Sequence, residues 1–177
     1  KLKKNTQKLK SIKYYNFALG NENEKKFIFI NENNNMSSSS LIPFNFKSNS
    51  IIKNYHKKDK LHLLKNKKEI IDIVKSNSFF NKLKKIDYCK IDTQGYEFNI
   101  LNNLNNRNFS KIKLLKVELM LDDIYLYNSQ KNFSKIINLL INKNFKMFDI
   151  SNIYKNIKDA RTLWIDCFFV NTKYYPI

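Results

Sequence analysis

Glycine is almost missing from this chain of 177 residues: Gly20 and Gly95 are the only two. A Gly-rich phosphate loop therefore cannot be built from it, because such a loop needs several residues that let backbone N–H groups close on an anion. Cysteine is as scarce. Cys89 and Cys167 both sit inside apolar runs, where they read as buried strand thiols. They form neither a metal spacing nor a disulfide framework, and they fit a reducing cytoplasm. Long hydrophobic runs are absent too, and no segment approaches the roughly 20 apolar residues that a membrane span needs. Lys1-Leu-Lys-Lys-Asn5 has no apolar core behind it and is not a signal peptide. Arginine is nearly absent: Arg107 and Arg161 stand among 33 basic residues, and the formal charge is +18. Such an excess raises nucleic acid or an anionic membrane surface as a partner. Specific nucleic-acid recognition, however, favours the Arg fork over Lys. The Lys also travels with abundant Asn and Ile over the whole chain, as a compositional drift would, so no specific nucleic-acid partner is expected.

What is present is a globular composition, 42% apolar and 14% aromatic. The length suits one domain with a real core, taken here as residues 1–177. The chain opens without Met, in a lysine-rich stretch that reads as the tail of a helix. An N-terminal part is therefore expected to be missing.

Periodicity predicts a short strand within Ser11–Gly20, ending in Ala18-Leu19-Gly20, and a second at Phe27–Ile30. Asn31–Ser40 is of low complexity and reads as a loop. Leu41–Lys58 stays irregular around Pro43, and Leu61–Leu64 reads as a strand. Asn66 and Glu69 make a capping box for a helix with Ile70, Ile71 and Val74 on its apolar face, ended by Ser76–Asn81. Strands follow at Ile86–Asp92 and Ile112–Leu121, with a turn at Gly95 and a short helix through Ile100, Leu101 and Leu104 between them. Phe133, Ile136, Ile137 and Leu140 mark an amphipathic helix, and Phe145–Ile150 and Leu163–Val170 two last strands. Alternating strands and helices predict an α/β fold with a parallel sheet. Two final strands with no room for a full helix between them predict an antiparallel strand finishing it.

Ligands of open α/β sheets bind beyond the carboxyl ends of the strands. That selects Asp92-Thr-Gln-Gly95 and Glu118–Asp123, where Asp87, Asp92, Glu97, Glu118, Asp122 and Asp123 gather. Asp92 is either a helix N-cap or a site carboxylate. Gly95 supplies a backbone conformation closed to other residues. Glu97 suits the helix dipole in a first turn. Glu118 interrupts a central strand and needs a partner; an ion pair with Lys90 is one solution. A hard cation on Asp92, Glu97 and Glu118 is conceivable through oxygen ligands, but no spacing demands it, and no metal is expected. His56 and His62 read as surface residues, Ser37–Ser40 as a loop, and Trp164 as packing.

Lys90-Ile-Asp-Thr-Gln-Gly-Tyr-Glu97, followed by Ile100-Leu101, resembles the Lys-Ile-Asp-x-x-Gly-x-Glu-x-x-x-Leu signature of the FkbM family of methyltransferases. Ala18-Leu19-Gly20, Ser37–Leu41, Ile71-Asp72 and Val117-Glu118 resemble its Ala-Leu-Gly-Asp, Ser-Ser-Leu, Leu-Asp and second strand-end acid in the same order, with Asn21 where Asp is common. The resemblance runs from about Lys10 to Val170. It implies a class I methyltransferase (Rossmann-like) sheet with an antiparallel final strand. It also implies transfer of a methyl group from S-adenosylmethionine to a hydroxyl of a sugar, glycan or secondary metabolite. By the same resemblance Ala18 and Leu19 lie near the adenine edge, and Asp92 points to the methyl-transfer site with Glu118 in support. Lys90, Gly95 and Glu97 then shape the active-site turn. The family's Asp-x-Gly-x-Asn-x-Gly loop and its ribose-binding acid have no counterpart here, so the chain is expected to lack the first strands and to be inactive alone. Two other readings compete: a basic nucleic-acid-binding or RNA-modifying domain, and a non-catalytic remnant that packs against a partner. The acceptor and the oligomeric state are not legible.

Overall fold

In a computed structural model the residues described are 11–31, 39–43, 66–121, 133–155 and 159–176. They form β1 (Ala18–Gly20), β2 (Glu24–Asn31), β3 (Asn66–Lys75), α1 (Ser76–Asn81), β4 (Ile86–Ile91), α2 (Glu97–Asn102), α3 (Asn106–Phe109), β5 (Ile112–Met120), α4 (Phe133–Ile141), β6 (Phe145–Lys155) and β7 (Thr162–Asn171). The expected strand at Leu61–Leu64, His56, His62 and Asp122–Asp123 lie outside the described residues.

The fold is mixed α/β with few helices, and the described strands form two sheets where one was expected. The first has three strands in the order β1-β3-β2, and the second four in the order β4-β5-β7-β6. β1 runs parallel to β3 and β4 parallel to β5. β2–β3, β5–β7 and β6–β7 are antiparallel. The final strand is thus antiparallel, as expected, and lies between β5 and β6 rather than at an edge.

The largest departure from expectation is Asn66–Lys75, which is strand β3 and not a capped helix. Its apolar residues fit either period, and neighbours decide between them. Phe27 to Ile30 supply an antiparallel ladder for Ile70 to Lys67, and Ala18 to Gly20 a parallel one for Ile73 to Lys75. Alternation then buries Ile73, 2% exposed, and leaves Ile70 63% exposed. β-branched Ile and Val accept that backbone readily. Glu69, no capping residue here, pairs with Lys67 at 2.7 Å. Ser76–Asn81, expected to end a helix, instead forms one, α1.

One core reaches from Leu41 and Ile73 to Phe169. Leu115, Val117 and Leu119 of β5 point to it on one face, with Cys167 and Phe169 of β7 and Leu101 and Leu140 of α2 and α4. The alternate residues of β5, Lys116 and Glu118, take the opposite face, which positions the site. Asn144 turns the chain from α4 into β6 with φ 62°, a left-handed helix end that Asn tolerates.

Candidate functional site

The site is built around the turn that leaves β4. Gln94 (φ 55°) and Gly95 (φ 95°) are both left-handed, so Gly95 supplies the conformation expected of it. Glu97, 3% exposed, holds the turn from below. Its Oε1 accepts hydrogen bonds from the Thr93 N–H at 2.8 Å, the Thr93 hydroxyl at 3.1 Å and the Gly95 N–H at 3.1 Å. Burial pushes the Glu97 carboxyl above the usual range, and those hydrogen bonds pull the other way.

Asp92 is not a helix cap. Helix α2 begins at Glu97 with Tyr96 before it and no side-chain cap. Instead Asp92 Oδ1 accepts from Gln94 Nε2 at 2.8 Å, and Oδ2 meets Lys90 Nζ at 2.9 Å. The side chain remains 28% exposed, so a fixed carboxylate faces outward. The Asp92 carboxylate raises the Lys90 ammonium above the usual lysine range, keeping it cationic at neutral pH.

Lys90 therefore does not pair with Glu118. Glu118 stands opposite Asp166 across β5 and β7, and the β4–β5 register, which pairs Ile91 with Val117, leads Asp92 to its other side. Lys116 meets Asp166 at 2.8 Å, and Asn152 Nδ2 donates to the same oxygen at 2.7 Å. Burial first, then the charges of Glu97, Asp92 and Asp166, push the Glu118 carboxyl up to about 8, against the pull of Lys90. Glu118 thus holds a proton over much of the neutral range. Among the described residues no group of three His, Cys, Asp or Glu is arranged to hold a metal ion.

A cavity of about 370 Å³ opens above this turn. Ala18 and Leu19 of β1 line one side, Lys90, Asp92 and Thr93 another, with Phe17, Ile28, Phe80 and Tyr96 completing apolar walls. Four of the expected site residues, Ala18, Leu19, Lys90 and Asp92, therefore meet at one cavity although more than 70 positions separate β1 from the end of β4. Gly95, Glu97 and Glu118 do not line it; the first two shape the turn, and Glu118 lies on the neighbouring strand. Cys89 also lines it, but burial raises its thiol to about 11. It is not a thiolate nucleophile.

Residues 2–147 match the methyltransferase FkbM domain. The chain belongs to the FkbM methyltransferase family. Its activity class is accordingly methyl transfer, and the turn described above is the segment carrying the family resemblance. No curated protein and no solved structure matches the chain. Among the described residues no helix is long and apolar enough to cross a membrane.

Sequence reasoning missed two parts of this FkbM site. Ser40 lies in a loop, as expected, but the sequence assigns it no contact; its hydroxyl donates to the Gln94 carbonyl at 2.7 Å and accepts from the Ile42 N–H at 3.0 Å. Its backbone pairs with Phe29 at 2.8 and 3.0 Å. The Ser-Ser-Leu loop is thereby fastened to the Asp-Thr-Gln-Gly turn. Asp166, the neighbour of Glu118, carried one signal: it is the lone acid in the apolar run Leu163–Val170.

Proposed function

We propose that this cavity is the methyl-transfer site of an S-adenosylmethionine-dependent O-methyltransferase whose acceptor is a hydroxyl of a sugar, glycan or secondary metabolite. The observation that carries the reading is the convergence of Ala18 and Leu19 with Lys90 and Asp92 on one cavity. The described residues fit part of the donor: the apolar walls suit a purine and a sulfonium methyl. When bound, the donor supplies an electrophilic methyl group. Ala18 and Leu19 would line the adenine edge, within a class I frame that the antiparallel β7 supports. The remainder of residues 1–177 belongs to the same single domain in this reading. The unpaired thiols Cys89 and Cys167 support a reducing compartment, the cytoplasm.

Asp92 would accept a hydrogen bond from the acceptor hydroxyl and orient its oxygen, with Lys90 and Gln94 fixing the carboxylate. Direct displacement depends chiefly on alignment of the reacting atoms, so this orientation supplies most of the effect. Glu118, one strand away, would support Asp92 by staying neutral and sparing it a second adjacent charge. Gly95 and Glu97 hold the turn.

The test uses the full-length protein and labelled donor, with panels of sugars and of RNA as acceptors. Asp92→Asn should leave donor affinity within about twofold and lower turnover on the accepted hydroxyl compound by about 100-fold or more. Unchanged turnover removes Asp92 from the reaction, and transfer to RNA alone removes the acceptor class.

A further inference from the structure

A second concavity lies at the other end of the β4–β5 pair. It has a volume of about 580 Å³ and is lined by Lys82, Lys84, Arg107, Lys111 and Lys173, with Tyr174 beside them. Lys82 and Lys84 come from the α1–β4 connection, Arg107 from α3, Lys111 from the entry to β5 and Lys173 from the exit of β7. Because β7 is antiparallel, its carboxyl end meets the amino ends of β4 and β5. The groove is thus on the edge opposite Asp92, about 20 Å away along a six-residue strand.

Its electrostatics differ from those of six described lysines elsewhere in the fold. Lys26, Lys67, Lys85, Lys90, Lys113 and Lys116 each meet a carboxylate within 3.1 Å. Among the described residues no carboxylate lines the groove. Lys111 is fixed there by neutral acceptors, the Phe80 carbonyl at 2.9 Å and Asn108 Oδ1 at 2.7 Å. Loss of water around its ammonium, and then the charge of Arg107, hold it below the usual lysine range. Lys173 lies 5.5 Å from the Tyr174 ring, and the Tyr174 hydroxyl is tied to the Ser110 carbonyl at 2.8 Å. Lys111 and Tyr174 are therefore held in place before any ligand arrives.

We propose that this groove binds the phosphodiester backbone of a single-stranded nucleic acid. Five cations spread over one cleft exceed what a single phosphate uses, and a flexible single strand can follow a concave basic surface with its backbone. Backbone contacts of this kind position a strand without reading its sequence, in keeping with a wall made mainly of lysine. The groove is independent of the methyl-transfer site, and a polymer seated in it could extend well past the cavity.

Fluorescence anisotropy with labelled oligo(U) and oligo(dT), in the full-length protein, tests this. Neutralising five phosphates predicts a log–log salt slope of about −3.5, or about a 100-fold loss of affinity between 50 and 200 mM salt. The combined variant Lys82→Gln, Lys84→Gln, Arg107→Gln should flatten the slope to about −1.4, two charges remaining. A control variant carrying Lys25→Gln, Lys68→Gln and Lys75→Gln on the other sheet should keep the original slope. Equal flattening in both variants would mean diffuse charge and overturn the groove. So would tripolyphosphate binding as tightly as the oligonucleotides, or anionic vesicles binding where oligonucleotides do not. Circular dichroism of each variant establishes that it folds before its slope is read.

Discussion

Gly20→Ala sets two effects of known sign against each other. Gly20 does not have a left-handed backbone, so an alanine can adopt its conformation. Restricting the unfolded chain would then stabilise the protein by about 0.4–1 kcal/mol. A Cβ at this position, however, would stand 2.6 Å from Cγ2 of Ile73 and 3.4 Å from the Tyr96 hydroxyl. Ile73 is buried at 2% exposure and fastened in β3 between β1 and β2, so it cannot swing away. Overpacking of this kind costs about 1–3 kcal/mol. The crowding wins, and a net loss of about 1–2 kcal/mol is expected. In urea that lowers the unfolding midpoint by about 0.5–1 M for a typical slope. Because Ala18 and Leu19 precede Gly20 on β1 and line the cavity, donor affinity should fall as well. A midpoint that stays level or rises refutes the reasoning, since it would mean that β1 does not approach β3 as closely as the register requires.

Two further outcomes follow from the site. The Glu118 carboxyl is raised to about 8 in the folded protein, above its unfolded range near 4.5, so the neutral form favours folding. Its contribution is complete below the unfolded value and is lost as pH rises through the folded one, with a slope of at most about 1.4 kcal/mol per unit. Glu118→Gln should flatten urea stability against pH between about 5 and 8; an unchanged curve would mean that Glu118 ionises freely. Ser40→Ala removes the hydroxyl that joins the Gln94 carbonyl to the Ile42 N–H. A loss of about 1–3 kcal/mol is expected, with faster hydrogen exchange at Ile42; unaltered exchange there would show that backbone pairing with Phe29 alone holds the loop.

Much of the second sheet was legible because its elements carry their own local pattern. β4, β5 and β7 are apolar runs of strand length, and α4 repeats its apolar residues at helical spacing. The Gly95 turn was legible for a similar reason, since a lone glycine between a strand and a helix has few other uses. The β3 segment was not, because Ile70, Ile71, Ile73 and Val74 suit both periods, and no residue within the segment chooses between them.

The amino-acid sequence by itself determined the chemistry available to this protein. It set the carboxylates at the ends of β4 and β5, the scarcity of glycine, the lysine excess and the family signature at Lys90–Glu97. These are properties of residues and short spacings, which travel with the chain. Tertiary structure alone decided which of them meet. Pairing with β1 and β2 made residues 66–75 a strand, because a ladder of shared hydrogen bonds outweighs a weak local preference. The β4–β5–β7 register set Glu118 between Asp92 and Asp166 and sent Lys90 to Asp92, since side chains on one sheet face interact according to strand alignment. The same topology brought Ala18 to the cavity beside Asp92, through contacts that neither segment encodes alone.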